Sequence, residues 1–304
     1  MLAWRWVSLC AAAANAFVVP AVPRRPTLRS PPAAAVADYS FMLPASTAVA
    51  TCCQLCGIGG AALFSPIFLL VFPYLGPEYP LDSPAAAIAS ALLTEVFGFA
   101  SGLTGYARRG LVSWPVAAQF ASVTVPCAFI GALAVGSLAA DPALLRGTYA
   151  LLMLSLAAYL TFTPSMSEKE AIAEGECEIP PEDDAIELTS HPALADGRVL
   201  TFRAPPKGSV ASASVSGAGG LLTGLLGVGV GETLLPQLLR GCCMPLPLAA
   251  GTSVATVVAT AAAAAAVQFS ELASASGDEI ASVVPWSLVC YTIPGVVTTA
   301  MDTL

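Results

Sequence analysis

Apolar residues in this chain come in long runs. Phe41–Tyr74 is one apolar stretch broken by glycines at 57, 59 and 60, and Pro84–Tyr106, Pro115–Leu138 and Ala143–Thr163 follow it. After a polar gap the runs resume over Val210–Leu239, Pro245–Phe269 and Ile280–Met301. Crossing a bilayer takes an α-helix of about 20 mostly apolar residues. The pattern therefore predicts about seven spanning segments. Alternation at period two is absent, which argues against an outer-membrane barrel. Ala, Gly, Ser and Thr are frequent in the runs, and small residues let helices approach closely inside lipid. The expected fold is all-α: a polytopic transmembrane helix bundle with two homologous repeats and Gly-broken or re-entrant helices.

Composition agrees with the pattern. Of the 304 residues, 56% are hydrophobic and 11% charged, against about 25% charged in a soluble domain. The mean hydropathy is +0.77. A soluble enzyme, a nucleic-acid binder and a disordered chain are all poorly served by these values. The net charge of −8 is local: Glu168, Glu170, Glu174, Glu176, Glu178, Glu182, Asp183, Asp184, Glu187 and Asp196 all lie between two apolar runs. With Pro180-Pro181 and Pro205-Pro206 in the same stretch, residues 164–208 read as an acidic disordered linker.

The first 40 residues read as a leader. Trp4-Arg5-Trp6 precedes an apolar run over Val7–Ala14 that is too short to span, and Ala14-Asn15-Ala16 offers small residues for cleavage before Phe17. Residues 17–37 hold Arg24, Arg25 and Arg29 and no acid. A signal peptide followed by such a segment resembles the bipartite leader of algae with complex plastids. The plastid envelope is one expected destination, and another endomembrane or the plasma membrane is the other. The organisation is then a leader over 1–40, a first transmembrane repeat over 41–163, the linker over 164–208 and a second repeat over 209–304.

The two flanks of the linker match. Gly57, Gly59 and Pro66 recur as Gly227, Gly229 and Pro236, each 170 positions on. Ser83-Pro84 through Ser90 aligns with Leu246-Pro247 through Ser253, and Leu111-Val112-Ser113-Trp114 with Val283-Val284-Pro285-Trp286. Three landmarks in one order indicate an internal duplication. Duplicated halves with Gly/Pro-interrupted apolar segments at matching places point to a secondary transporter and to its binding site.

These residues also carry a resemblance. Gly57–Pro66, Gly227–Pro236, Gly251-Thr252-Ser253 and Arg108-Arg109-Gly110-Leu111-Val112-Ser113-Trp114 resemble the TauE/SafE family of sulfite-exporter-like membrane proteins, over roughly residues 45–163 and 215–301. The resemblance implies a membrane carrier of small anions such as sulfite and organosulfonates. Two departures stand out. Ala61 and Ala62 replace a glycine and a bulkier residue, and the second half shows no counterpart of the Ala143–Thr163 helix before Leu304, so either that helix is absent or the sequence is short at this end.

A glycine cluster followed by proline interrupts a helix, since glycine costs about 1 kcal/mol relative to alanine in a helix interior. At bilayer depth the freed backbone groups must face protein or a wet cavity. A restarting helix aims its positive end and unpaired N–H groups at that cavity, where they suit an oxyanion. Gly57, Gly59, Gly60, Gly227, Gly229 and Gly231 are the expected lining; the competing reading is that they only permit close packing. Whether the breaks make single crossings or re-entrant hairpins decides whether the halves run parallel or inverted, and both remain open.

Ser90, Thr252 and Ser253 offer hydroxyls to the substrate, or to their own helix backbone. Gln54, Gln119 and Gln268 are further buried polar candidates. Glu95 lies mid-span, where a bare carboxylate costs several kcal/mol, so it must be neutral, paired or facing water. Glu95 and Glu232 are the candidates for proton coupling, against plain packing and helix capping. Trp114 and Trp286 read as interface anchors.

Cys52, Cys53, Cys56, Cys242 and Cys243 raise an alternative, a soft-metal or thiol-linked transporter, although packing explains cysteines in apolar helices equally well. A third reading is a non-transporting membrane adaptor. The one histidine, His191, lies in the linker, and no nucleophile–base set is visible, so an enzyme is not expected. No cofactor, metal or nucleic acid is expected. The expected partners are a small anionic substrate and the lipid bilayer, with self-association into a homo-oligomer left open.

Overall fold

The computed structural model describes residues 39–56, 61–72, 84–138, 188–191, 200–203, 210–228, 230–276 and 286–302, with three isolated helical positions at 147, 151 and 154. The leader, Gly57, Gly59, Gly60, Gly229, nearly all of Ala143–Thr163 and the acidic part of the linker lie outside these residues.

The first apolar stretch folds as α1 (Met42–Cys56) and α2 (Ala61–Pro66), and α2 runs on as a π-helical turn over Ile67–Val71. Then come α3 (Pro84–Arg108) and α4 (Trp114–Leu138). The second apolar half folds as α5 (Val210–Leu226), α6 (Val230–Pro236), a π-helical turn over Gln237–Gly241, α7 (Leu246–Ser276) and α8 (Trp286–Asp302). The order of elements on the two sides of the linker is the same. The π turns start directly after Pro66 and Pro236, whose backbones are nearly identical (φ −66, ψ −34 and φ −61, ψ −34). Proline has no N–H for the i−4 carbonyl and its ring crowds that carbonyl, so the ladder widens there.

Each glycine break is a fold-back. In a straight helix Ser212 and Gln237 would stand about 37 Å apart; instead Ser212 Oγ donates to Gln237 Oε1 at 2.8 Å, and Ser216 Oγ to the same oxygen at 3.2 Å. The returning leg therefore lies along α5. In the first half Tyr39 and Phe72 would be about 50 Å apart in a straight helix, yet their rings stack with centroids 6.1 Å apart. Phe41 also meets Phe72, at 6.4 Å. One hairpin is closed by an amide between two hydroxyls and the other by aromatic rings. Helices of 15 and 17 residues reach about 22–25 Å, against the roughly 30 Å of a hydrocarbon core.

Packing between the two sides is reciprocal. α4 lies against α5 and α7, and α8 lies against α1 and α3. α3 and α7 pack on each other in opposite directions: Gly251, near the start of α7, meets Tyr106 and Leu111 at the end of α3. α4 and α7 run together, through Ser113 N–H to Thr252 Oγ1 (3.0 Å) and the Thr124–Thr260 hydroxyl pair (2.8 Å). α3 and α8 also run together, with Thr94 and Thr292 hydroxyls 3.1 Å apart and Gly98 beside Val296. Small residues make the α4–α5 contact possible. A Cβ on Gly220 would strike the Thr124 carbonyl, and one on Gly224 the Ala128 carbonyl.

Among the described residues three helices are long and apolar enough to cross a membrane: Ala85–Arg108, Trp114–Val135 and Leu246–Ser274. Phe129, Ile130 and Leu133 on α4 and Val215 and Leu221 on α5 face outward, as a lipid-facing surface requires. Trp114 and Trp286, the first residues of α4 and α8, are 57% and 43% exposed.

Within 164–208 two short strands are described. β1 (Leu188–His191) and β2 (Leu200–Arg203) pair antiparallel, with Thr189 opposite Phe202. Phe202 is fully buried in a cluster with Phe120, Val230 and Leu234. Phe202 thereby anchors its strand on the helices.

Candidate functional site at the hairpin tips

The second hairpin turns at Gly227, whose φ of 77° lies in the left-handed region that an L side chain enters at a cost. Thr223 holds the turn. Its hydroxyl donates to the Gly219 carbonyl (3.0 Å) and accepts from the Val230 N–H (3.1 Å). One of the amides expected to face a ligand is therefore already used inside the hairpin. Gly231 sits in the first turn of α6, and a Cβ there would meet only Val257 Cγ2, at 3.6 Å. Close packing does not explain that glycine.

The two hairpins meet. Ser65 Oγ in α2 donates to the Leu226 carbonyl at the second tip, 3.4 Å away and 161 positions along the chain. Phe64 and Phe68 of the first hairpin share one buried cluster with Leu226 and Val228 of the second. Ala87, Ile88, Ala91 and Leu92 of α3, Ala128 and Ala132 of α4, and Ala261, Ala264 and Ala265 of α7 complete it. The second tip and the returning leg of the first hairpin lie in the apolar centre of the bundle.

A few polar side chains enter this centre. Ser90 on α3 is fully buried, and its hydroxyl has no hydrogen-bond partner among the described residues. The reading in which it bonds to its own helix does not apply here. Gln268 on α7 donates from Nε2 to the Gly224 carbonyl at 2.7 Å. Glu95 on α3 is buried at 6% exposure, next to the Thr94–Thr292 bridge. Glu232 stands half-buried in the first turn of α6.

Other sequence candidates separate from the site. Thr252 is buried, but its hydroxyl accepts from the Ser113 N–H and so clamps the turn between α3 and α4. Ser253 is buried beside it. Gln119 is exposed on α4, so its reading as a buried polar group is corrected. The side chain of Gln54 lies outside the described residues, as do those of Cys52, Cys53 and Cys56. Cys243 is disulfide-bonded, and Cys127, Cys242 and Cys290 are free thiols. A disulfide sulfur is not a thiolate ligand. Among the described residues no three His, Cys, Asp or Glu side chains gather as a metal site.

Sequence reasoning passed over Ser65, Thr223 and Gln237. Ser65 precedes Pro66 in the repeated motif, and that position was the available signal. Thr223 and Gln237 sit four residues before the break and one after the proline, places that matter only once the chain folds back.

A family model described as sulfite exporter TauE/SafE matches residues 42–301. No curated protein and no solved structure matches the chain.

Proposed function

Because the chain belongs to the sulfite exporter TauE/SafE family, a family of membrane transporters, we propose that it is a secondary carrier of sulfite, organosulfonates or related sulfur oxyanions, working by alternating access. The anion is held between the two hairpin tips, and the Ser65–Leu226 contact that joins them is the observation that carries this reading. Backbone N–H groups at the folded-back tips supply donors without a buried arginine, and helix ends favour negative charge. Ser90 adds a hydroxyl from α3.

We read the halves as inverted repeats. α3 and α7 occupy the same place in the two element orders and run in opposite directions, so a two-fold axis relating them lies across the helices. The reciprocal packing of α4 on α5 and α8 on α1 fits the same axis. Such an axis brings the hairpins in from opposite membrane faces, the arrangement in which rocking one half against the other exposes the site alternately. Glu95 carries the coupling proton, with Glu232 as the second candidate at the α6 end. The leader supports delivery to a plastid envelope, or else to another endomembrane or the plasma membrane.

Purified protein in liposomes tests the carrier role. Radiolabelled sulfite should enter faster than into empty vesicles, and unlabelled sulfonates should compete. Flux at the empty-vesicle level would leave a non-transporting adaptor as the reading that survives.

A further inference from the structure

Ser90 Oγ on α3 and Gln268 Oε1 on α7 are among the buried side-chain oxygens that lack a hydrogen bond among the described residues. Their residues are 0% and 3% exposed. α3 and α7 pack antiparallel with Gly251 against Tyr106, and the equal rise along both helices brings Ser90 and Gln268 to about the same level. Buried polar atoms in native proteins are nearly always paired. Two left open at one level mark a place for a polar ligand.

The amide of Gln268 has one workable orientation. Its Nε2 donates to the Gly224 carbonyl at 2.7 Å; turned over, it would set two carbonyl oxygens against each other. What Gln268 leaves open is thus a carbonyl oxygen, which accepts and cannot donate. A fully deprotonated sulfite or a sulfonate also offers acceptors alone, and such a pair repels. A monoprotonated oxyanion brings an O–H. The Ser90 hydroxyl is free to donate to another of its oxygens.

We infer that Gln268 reads the protonation state of the cargo: the preferred substrate is a monoprotonated oxyanion, whose O–H is accepted by Gln268 Oε1 while Ser90 Oγ donates to a neighbouring oxygen, and sulfonates are carried less well. The inference rests on the carrier reading above. This proton belongs to the substrate and is additional to the coupling proton assigned to Glu95, and no covalent bond of the anion is made or broken. Glu95 on α3, Glu232 on α6 and Glu271 on α7 itself are the carboxylates carried by elements packed around Gln268, and Arg108 ends α3.

The test compares radiolabelled sulfite with methanesulfonate, which stays unprotonated, in proteoliposomes at mildly acid pH where sulfite carries one proton. Wild-type protein should show the lower KM for sulfite. Gln268→Met should raise the sulfite KM about tenfold, the worth of one hydrogen bond to a charged partner, and leave the methanesulfonate KM unchanged or lower it, since the repelling carbonyl is gone. Loss of the Gly224 contact alone would move both substrates together, so the ratio isolates the acceptor. Equal changes for both, no change for either, or a wild-type preference for methanesulfonate would overturn the inference and leave the carrier standing. Flux of neither anion by wild-type protein would overturn the carrier reading and this inference with it. Should Gln268→Met not stay monodisperse in detergent, Gln268→Asn, which withdraws the carbonyl by one methylene, is read by the same outcomes.

Discussion

Ser65 in the returning leg of one hairpin donates to the Leu226 carbonyl at the tip of the other, across 3.4 Å. Leu226 is the last residue of α5, and its carbonyl has lost its partner in the next helical turn because the chain reverses at Gly227. Helix ends leave such carbonyls unsatisfied. A break in one half is thus completed by a side chain from the other, which ties the geometry of the two tips together.

The turn itself depends on Gly227. With φ at 77°, Gly227→Ala should cost about 1–2 kcal/mol and reduce flux. Gly231→Ala places its new methyl at ordinary contact distance from Val257 and replaces a helical glycine, so it should be neutral or stabilising by up to about 1 kcal/mol. Thermal unfolding of both variants in detergent checks the contrast; equal losses would contradict it.

Closure of the second hairpin depends on Gln237. Gln237→Leu removes the acceptor shared by Ser212 and Ser216 and should destabilise by about 1–3 kcal/mol. Limited proteolysis should show the 230–241 leg becoming the first site of cleavage.

The hydroxyl pair Thr124–Thr260 bridges α4 and α7. A double-mutant cycle with valine at both positions should return a coupling of about 0.6 kcal/mol, the usual worth of an interhelical hydrogen bond in a membrane. Denaturant unfolding in micelles measures it, and a value indistinguishable from zero would remove the pair from the account.

If Glu95 carries the coupling proton, Glu95→Gln fixes it in the neutral form. Sulfite flux should then lose its response to an imposed pH gradient while exchange of sulfite for sulfite continues. An unchanged gradient response would take Glu95 out of the coupling role.

Much of this architecture is legible in the apolar runs. α3, α4 and α7 begin within one residue of their expected starts, because proline marks those ends, whereas α8 begins at Trp286, six residues after the expected Ile280. The glycine breaks are legible too, and so is their repetition 170 positions on. The direction of the chain after each break is not, since it rests on contacts such as Ser212 with Gln237 and Tyr39 with Phe72 that join residues far apart in sequence. The β1–β2 ladder escaped for a similar reason: four-residue strands inside an acidic stretch carry a weak pattern, and Phe202 is held by residues from other elements. At the site, Ser90 was legible as a polar residue in a small-residue helix. Thr252 looked equivalent in the aligned motif, yet the neighbouring turn claims its hydroxyl.

Sulfite flux through wild-type protein and through Gly227→Ala, reconstituted side by side with empty vesicles, bears most directly on the claim that the joined tips hold the anion. Wild-type vesicles should accumulate label well above the empty ones, and the variant, still folded by its melting curve, should fall most of the way back. Equal flux through the two proteins, or none above empty vesicles through either, would contradict it.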